Sequence, residues 1–150
     1  MHRTPVGPRR AGLLLGLGAV LGPGAVLGLT GCSSPTPVPV PSPDAAPVDV
    51  VEAYVAAINA GDRAALATLS ADGRVPDAWL GSRIDLISVG DPTNGAGAGT
   101  RYGDQPTVGV TVKAEFHDTD PSLPDGRPIG WTYLLVEQDG RWVVYDQGQG

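Results

Sequence analysis

The chain has 150 residues, which leaves room for one domain at most, because ordinary domains run to about 100–150 residues. All 16 acidic residues lie at Asp44 or later, whereas only seven basic residues follow Cys32; this acidity excludes nucleic-acid binding, which needs Lys and Arg to neutralise phosphates. Cys32 is the only cysteine, so the sequence excludes an intramolecular disulfide and a metal–thiolate site.

The first 31 residues have the pattern of a secretory signal peptide. Residues 1–12 hold three arginines and no acid, and residues 13–29 form an uncharged apolar run. Pro23 and repeated glycines make this run a poor permanent spanning helix, which needs about 20 predominantly apolar residues. The pattern predicts export, and the paired Arg9-Arg10 leaves the twin-arginine route open beside the general secretory one.

The apolar run ends at Leu29-Thr30-Gly31-Cys32. This segment resembles the lipobox of bacterial lipoproteins, in which Leu and two small residues precede the cysteine that receives diacylglycerol. The resemblance implies cleavage between Gly31 and Cys32 and fatty acyl chains, such as palmitate, on Cys32. Each buried methylene contributes roughly 0.8 kcal/mol, so two or three chains would hold the protein lastingly at the extracytoplasmic face of the cell membrane.

The segment from Ser33 to Pro47 has a proline at nearly every second position. Alternating prolines favour an extended polyproline II conformation of about 3 Å per residue. We therefore predict a tether, with a ligand for a proline-recognition domain as the alternative. The predicted organisation is a signal peptide over residues 1–31, a lipidated cysteine and linker over 32–47, and one domain over 48–150.

The domain is predicted to begin with two helices. Asp49 is the expected N-cap of the first, with Glu52 completing a capping box, and Gly61 is the expected residue after its end. Asp62 is the expected cap of the second. A further helical turn is predicted at residues 76–80. The apolar side chains expected to face the core are Val51, Tyr54, Val55, Ile58, Leu66, Leu69 and Trp79.

From residue 84 the apolar pattern has the period of a strand. Thr107–His117 is the clearest case, with the even-numbered residues from Val108 to Phe116 on the core face and the odd-numbered ones outside. Ile129–Glu137 is predicted as a central strand, Asp139-Gly140 as a hairpin turn, and Arg141–Asp146 as the last strand. Helices followed by about four strands, with a long glycine-rich loop at residues 91–105, predict an α+β fold with N-terminal helices packed on an antiparallel sheet.

Two segments carry a family resemblance. Asn59-Ala60-Gly61-Asp62 between two helices, and the closing residues 140–146, are similar to the nuclear transport factor two-like superfamily, which includes ketosteroid-isomerase-like and polyketide-cyclase-like domains. The resemblance implies a curved, cone-like sheet closed by helices over a pocket. Because this superfold carries many unrelated activities, it implies no particular reaction.

No residue is assigned a catalytic role with any force. The weak candidates are His117, Tyr133 and Asp146, and Asp118 and Tyr102 are further candidates in the implied pocket. His117 would be the natural proton carrier near neutral pH, yet its parity places it on the polar face of its strand. The predicted ligand-pocket residues are Trp79, Tyr102, Trp131 and Tyr133.

No cofactor and no metal site are predicted. Asp118, Asp120 and Asp125 offer oxygen ligands of the kind calcium takes, but their spacing fits no calcium loop. The prolines around them favour a turn-rich connection between strands.

Three functions remain open from the sequence. The favoured one is a lipid-anchored domain that binds a protein partner or a small apolar ligand without catalysis. The second is an isomerase- or cyclase-type enzyme that uses a pocket carboxylate or His117. The third is an accessory domain of a cell-envelope complex, which would show an exposed apolar patch of several hundred Å².

Overall fold

The computed structural model describes residues 37–119 and 121–149, all within one compact unit. The predicted signal peptide, the lipobox, the start of the predicted tether and Asp120 lie outside these residues. Two α-helices precede a five-stranded antiparallel sheet, which confirms the predicted α+β fold. Among the described helices, none has the length and apolar character needed to cross a bilayer.

Helix α1 spans Pro47–Ala60 and buries the predicted apolar stripe. Proline suits the first position of a helix because its fixed φ matches and its missing N–H needs no partner there. The prediction of Asp49 as N-cap is wrong: Asp49 is the third helical residue, and its carboxylate accepts a hydrogen bond from the Ala46 backbone N at 3.3 Å. Pro47 begins the helix two residues before Asp49, so Asp49 lies within the first turn and does not cap it.

The corner between the helices follows the predicted pattern. Gly61 ends α1 with a left-handed φ of 65°, which favours glycine. Asp62 caps helix α2, Arg63–Leu69, by accepting hydrogen bonds from Ala64 N at 3.1 Å and Ala65 N at 3.0 Å. The inward-facing leucines of α2 are buried as expected.

The strands form one sheet in the order β1-β3-β4-β5. The short strand β2 also pairs with β3, along the same edge as β1. β3 and the start of β4 are as predicted, whereas β2 lies in the segment predicted as a loop. The hairpin turn between β4 and β5 is also as predicted, with positive φ at both of its central residues. The strand bounds are β1 Arg83–Val89, β2 Thr93–Asn94, β3 Thr107–His117, β4 Ile129–Gln138 and β5 Arg141–Gly148.

Strand β1 contains a bulge at Ile87. Leu86 pairs with Ala114 and Ser88 pairs with Lys113, so Ile87 has no partner on β3. Its side chain is 51% exposed. The extra residue explains why apolar residues of this segment occur on both parities.

The glycine-rich loop folds back onto the start of β3. Thr107 was predicted to face solvent, which is wrong: it is buried, and its Oγ1 accepts a hydrogen bond from Gly97 N at 2.8 Å. A Cβ on Gly97 would lie 2.6 Å from Thr107 Cγ2, so only glycine allows this approach.

The second half of the proline-rich segment lies against the domain. Val38 N donates to Asp62 Oδ2 at 2.9 Å, and Arg141 Nη1 donates to the Pro41 carbonyl at 3.4 Å. Val38 and Ala45 also pack against the hydrophobic core. Hydrogen bonds from the backbone N–H groups of Val38 and, next in size, of Ala65 lower the pKa of the Asp62 carboxyl. The packed part of the chain thus begins upstream of the predicted boundary at Val48.

Asn59 joins the end of α1 to the outer edge of the sheet. Its Nδ2 donates to the Ile84 carbonyl and its Oδ1 accepts from Ile84 N, both at 2.8 Å. The side chain thereby covers part of the free backbone edge of β1.

Replacing Asn59 with Ala should lower the free energy of unfolding by about 1–3 kcal/mol, because two backbone groups of Ile84 lose their partner. Urea denaturation measures the effect. Glu52→Ala, an exposed change on the same helix, should stay within about 0.5 kcal/mol of the parent. Equal stability of the two variants would contradict the edge-covering role of Asn59.

Candidate functional site

A cleft of about 440 Å³ opens between the segment that follows α2 and the end of β5. A parallel bridge between Ser70 and Val144 joins its two sides. Tyr54 of α1 contributes to the lining as well. The other lining residues are Ala71, Arg74, Val75, Pro76, Trp79, Tyr145, Asp146 and Gln147.

An aromatic layer lies directly behind the cleft. The Trp79 ring is 5.4 Å from that of Trp131 and 5.8 Å from that of Phe116, measured between centroids. The Tyr54 ring meets the Tyr133 ring edge-on at 5.8 Å. Trp79 was predicted to be buried, but it is only half-buried because one side faces the cleft. The predicted pocket residues Trp131 and Tyr133 belong to the buried core.

The cleft and this layer contain buried polar atoms that have no hydrogen-bond partner. Gln147 Oε1 belongs to a residue that lines the cleft, and Trp131 Nε1 and Tyr133 Oη belong to the layer behind it. Ser70 Oγ, also at the cleft, lies beside the Tyr54 phenol. Tyr133 and Gln147 are cross-strand partners, so their side chains share one face of the sheet. Buried polar groups are nearly always paired, and each unpaired one costs about 1–3 kcal/mol. Their grouping makes this cleft the candidate functional site.

The two tyrosines at this site are neutral phenols at physiological pH. Burial raises the pKa of Tyr54 to about 12. Burial raises the pKa of Tyr133 as well, with a smaller effect from neighbouring Tyr54. Neither hydroxyl is therefore a base, and each acts as a hydrogen-bond donor or acceptor.

The rim of the cleft holds one residue of each charge. Arg74 and Asp146 are both exposed. The Asp146 carboxylate accepts a hydrogen bond from Gln147 N at 2.8 Å, within its own strand. The weak catalytic candidate Asp146 thus lies at the cleft as a solvated edge carboxylate.

The structure places two other candidates away from the cleft. Tyr102 packs on Tyr145 at 4.8 Å between ring centroids, and its hydroxyl donates to Asp72 Oδ2 at 3.1 Å. The prediction of Tyr102 as a pocket residue is wrong, because Tyr102 does not line the cleft. His117 lies on the polar face of β3, as its parity predicted, beside Asp85 and Glu115. Alternate residues of a strand point to opposite faces, so His117 cannot reach the cleft.

Among the cleft residues, the sequence indicates only Trp79 and Asp146 and misses most of the lining, including Tyr54, Ser70 and Gln147. Tyr54 was taken only as a core residue of α1. Gln147 lies beyond the predicted end of the last strand, and the regular hairpin register would pair Tyr133 with Asp146; the bulge at Tyr145 brings Gln147 opposite Tyr133 instead. Ser70 has no signal in the sequence, because its position depends on how the segment after α2 meets β5.

No protein family, curated protein or solved structure matches this chain. What the cleft can bind is therefore inferred from its own geometry.

Replacing Tyr133 with Phe should raise the free energy of unfolding by about 1–3 kcal/mol, because the change removes a buried hydroxyl that has no partner. Tyr145→Phe is the matched control with the opposite sign. The Tyr145 hydroxyl donates to the Ala96 carbonyl at 3.1 Å, so its removal should cost about 0.5–1.5 kcal/mol. Urea denaturation of both variants measures the two changes in the free energy of unfolding. A Tyr133→Phe variant as destabilised as Tyr145→Phe would mean that the Tyr133 hydroxyl is satisfied within the protein.

Proposed function

We propose that this protein is a lipid-anchored extracytoplasmic domain that binds a small amphiphilic molecule in the cleft without converting it. The observation that carries the proposal is the group of unpartnered buried polar atoms beside an aromatic layer. Ligand sites in proteins combine apolar walls with a few convergent polar groups, and this cleft has both.

The polar atoms set the chemistry of the proposed ligand. Trp131 Nε1 is a donor only, Gln147 Oε1 is an acceptor only, and Ser70 Oγ serves as either. The ligand therefore carries hydroxyl or carbonyl groups together with ring or alkyl surface that contacts Trp79. Arg74 and Asp146 at the rim have opposite charges, so the cleft favours neither an anion nor a cation.

The proposal includes the cone-like form of the nuclear transport factor two-like superfamily. Bulges support a curved sheet, one at Ile87 of β1 and one at Tyr145 of β5, because bulges bend the strands that carry them. The corner at residues 59–62 supports the likeness to the opening of that superfamily. In it the Asn59 side chain covers the sheet edge and the Asp62 side chain caps helix α2.

The proposed attachment to the membrane is through fatty acyl chains on Cys32. The acidic domain offers no basic patch for anionic lipid headgroups, so attachment depends on the lipid. Because Val38 and Pro41 are bound to the domain, only the residues before them remain for the proposed spacer.

The enzyme alternative has less support. The aromatic side chains Trp79, Phe116, Trp131 and Tyr133 fill the space between helices and sheet. The candidate proton carrier, His117, faces away from the cleft, and the raised pKa of Tyr54 keeps that phenol neutral. The envelope-complex alternative also has less support, because the only exposed large apolar side chains among the described residues are Val40 and Ile87.

Protein extracted from its own host under non-denaturing conditions should retain a small molecule, detectable by native mass spectrometry. Gln147→Met removes the unpartnered acceptor at similar size and should lower the affinity roughly 3- to 10-fold, the equivalent of one hydrogen bond. Gln138→Met, at the far end of β4, is the matched control and should retain the ligand. An empty parent protein, or equal occupancy in both variants, would argue against the cleft as the site.

Replacing Cys32 with Ser should release the protein from the membrane fraction, because the proposed acyl chains have no other point of attachment. Cell fractionation and mass analysis of the mature N-terminus measure the effect. Unchanged retention would identify the uncleaved apolar segment as the anchor and overturn the lipidation proposal.

A further inference from the structure

The polar face of the sheet brings four charged or titratable side chains together at the β1–β3 pair. In the register of these strands Arg83 lies opposite His117, and Asp85 lies opposite Glu115. Two carboxylates directly across a strand pair repel each other, which destabilises the pairing unless a cation lies nearby. This group lies on the opposite face of the sheet from the cleft, so nothing argued about it depends on the proposed ligand.

The imidazole of His117 points at both carboxylates. Its Nε2 is 3.3 Å from Asp85 Oδ2 and 4.0 Å from Glu115 Oε2. One donor atom from each of the three residues lies within 4.8 Å of the others. The Nε2 atom is buried, and its closest contact, with Asp85, is longer than an ordinary N–H···O hydrogen bond. A buried ring nitrogen that faces two carboxylates at such distances leaves room for a cation between them.

We propose that Asp85, Glu115 and His117 bind a divalent transition-metal ion of the Zn²⁺ type. Zn²⁺ binds nitrogen and oxygen donors at about 2.0–2.2 Å, which places the donors of a tetrahedral site roughly 3.4 Å apart. The His117 nitrogen lies 3.3 and 4.0 Å from the two carboxylate oxygens, and all three donor atoms lie within 4.8 Å of one another, so the donors must close by up to about 1.4 Å to reach that geometry. An imidazole ligand favours Zn²⁺, Ni²⁺ or Cu²⁺ over the oxygen-preferring Ca²⁺ and Mg²⁺. Three protein ligands leave the fourth position to water.

The other ring nitrogen of His117 faces a further carboxylate. Its Nδ1 is 3.8 Å from Asp125 Oδ1. The loop that carries Asp125 is fixed beside the ring by a hydrogen bond from Gly126 N to the Phe116 carbonyl at 3.0 Å. Histidines that bind metals usually donate their second N–H to a carboxylate, which sets the ring orientation. Asp125 is the positioning residue of the proposed site.

Arg83 competes with the metal for Asp85. Its Nη2 donates to Asp85 Oδ2 at 2.7 Å and its Nε donates to Oδ1 at 3.2 Å. This pairing is the main reason that the pKa of Asp85 is lowered. The Arg83 side chain is 70% exposed, so it can turn into solvent when a metal arrives. The proposal therefore predicts that removing Arg83 strengthens binding.

The test is a titration of the full chain with Zn²⁺ by calorimetry and with Co²⁺ by visible absorption. All chains carry Cys32→Ser, because a free thiolate binds both metals. One strong site is expected. His117→Gln should weaken binding at least 10-fold, whereas Arg83→Ala should strengthen it several-fold. His2, the other histidine, is present in every chain, so its own binding remains in His117→Gln as the background.

Asp118→Asn is the matched control, because Asp118 is an exposed acid next to His117 that is not one of the three proposed ligands. It should bind the metals as the parent does. Melting curves in a chelator establish that each variant is folded. Unchanged binding in His117→Gln would mean adventitious metal only. Absence of binding in both the parent and Arg83→Ala would overturn the proposed site.

Discussion

The packing of the apolar stripe of α1 onto the core face of the sheet is the interaction on which the rest of the structure depends. Tyr54 meets Tyr133 across this interface, and the even-numbered residues of β3 form its floor. Fully burying a large apolar side chain contributes about 1.5–3 kcal/mol, which is similar to the cost of leaving one buried hydroxyl unpaired. Closing the core in this way leaves Tyr133 Oη buried without a partner.

The sheet separates two kinds of chemistry because neighbouring residues of a strand point in opposite directions. Phe116 packs with the tryptophans behind the cleft, whereas His117, the next residue, joins the carboxylates outside. The cleft presents neutral hydrogen-bonding groups and aromatic rings. The outer face presents an imidazole and carboxylates that suit a metal ion. One strand thus contributes to both proposed sites, on opposite faces of the sheet.

The sequence predicts what depends on local periodicity and fails where distant segments meet. The alternation of β3 from Val110 to His117 and the left-handed turn at Gly61 follow from neighbouring residues alone, and both are confirmed. The burial of Thr107 could not be predicted, since it depends on a loop glycine ten residues away along the chain. The bulge at Ile87 has no local signature beyond apolar residues on both parities. The site was only partly predictable for the same reason: the approach of His117 to Asp85 requires the strand register, which composition and spacing do not supply.

We propose that the unpartnered atoms at the cleft bind a ligand. A crystal structure of the protein purified from its own host without denaturation tests it most directly. The account predicts continuous density for a small molecule in the cleft, within hydrogen-bonding distance of Ser70 Oγ and Gln147 Oε1 and in contact with Trp79. Ordered water molecules alone on those atoms, or side chains turned to pair with each other, would contradict it.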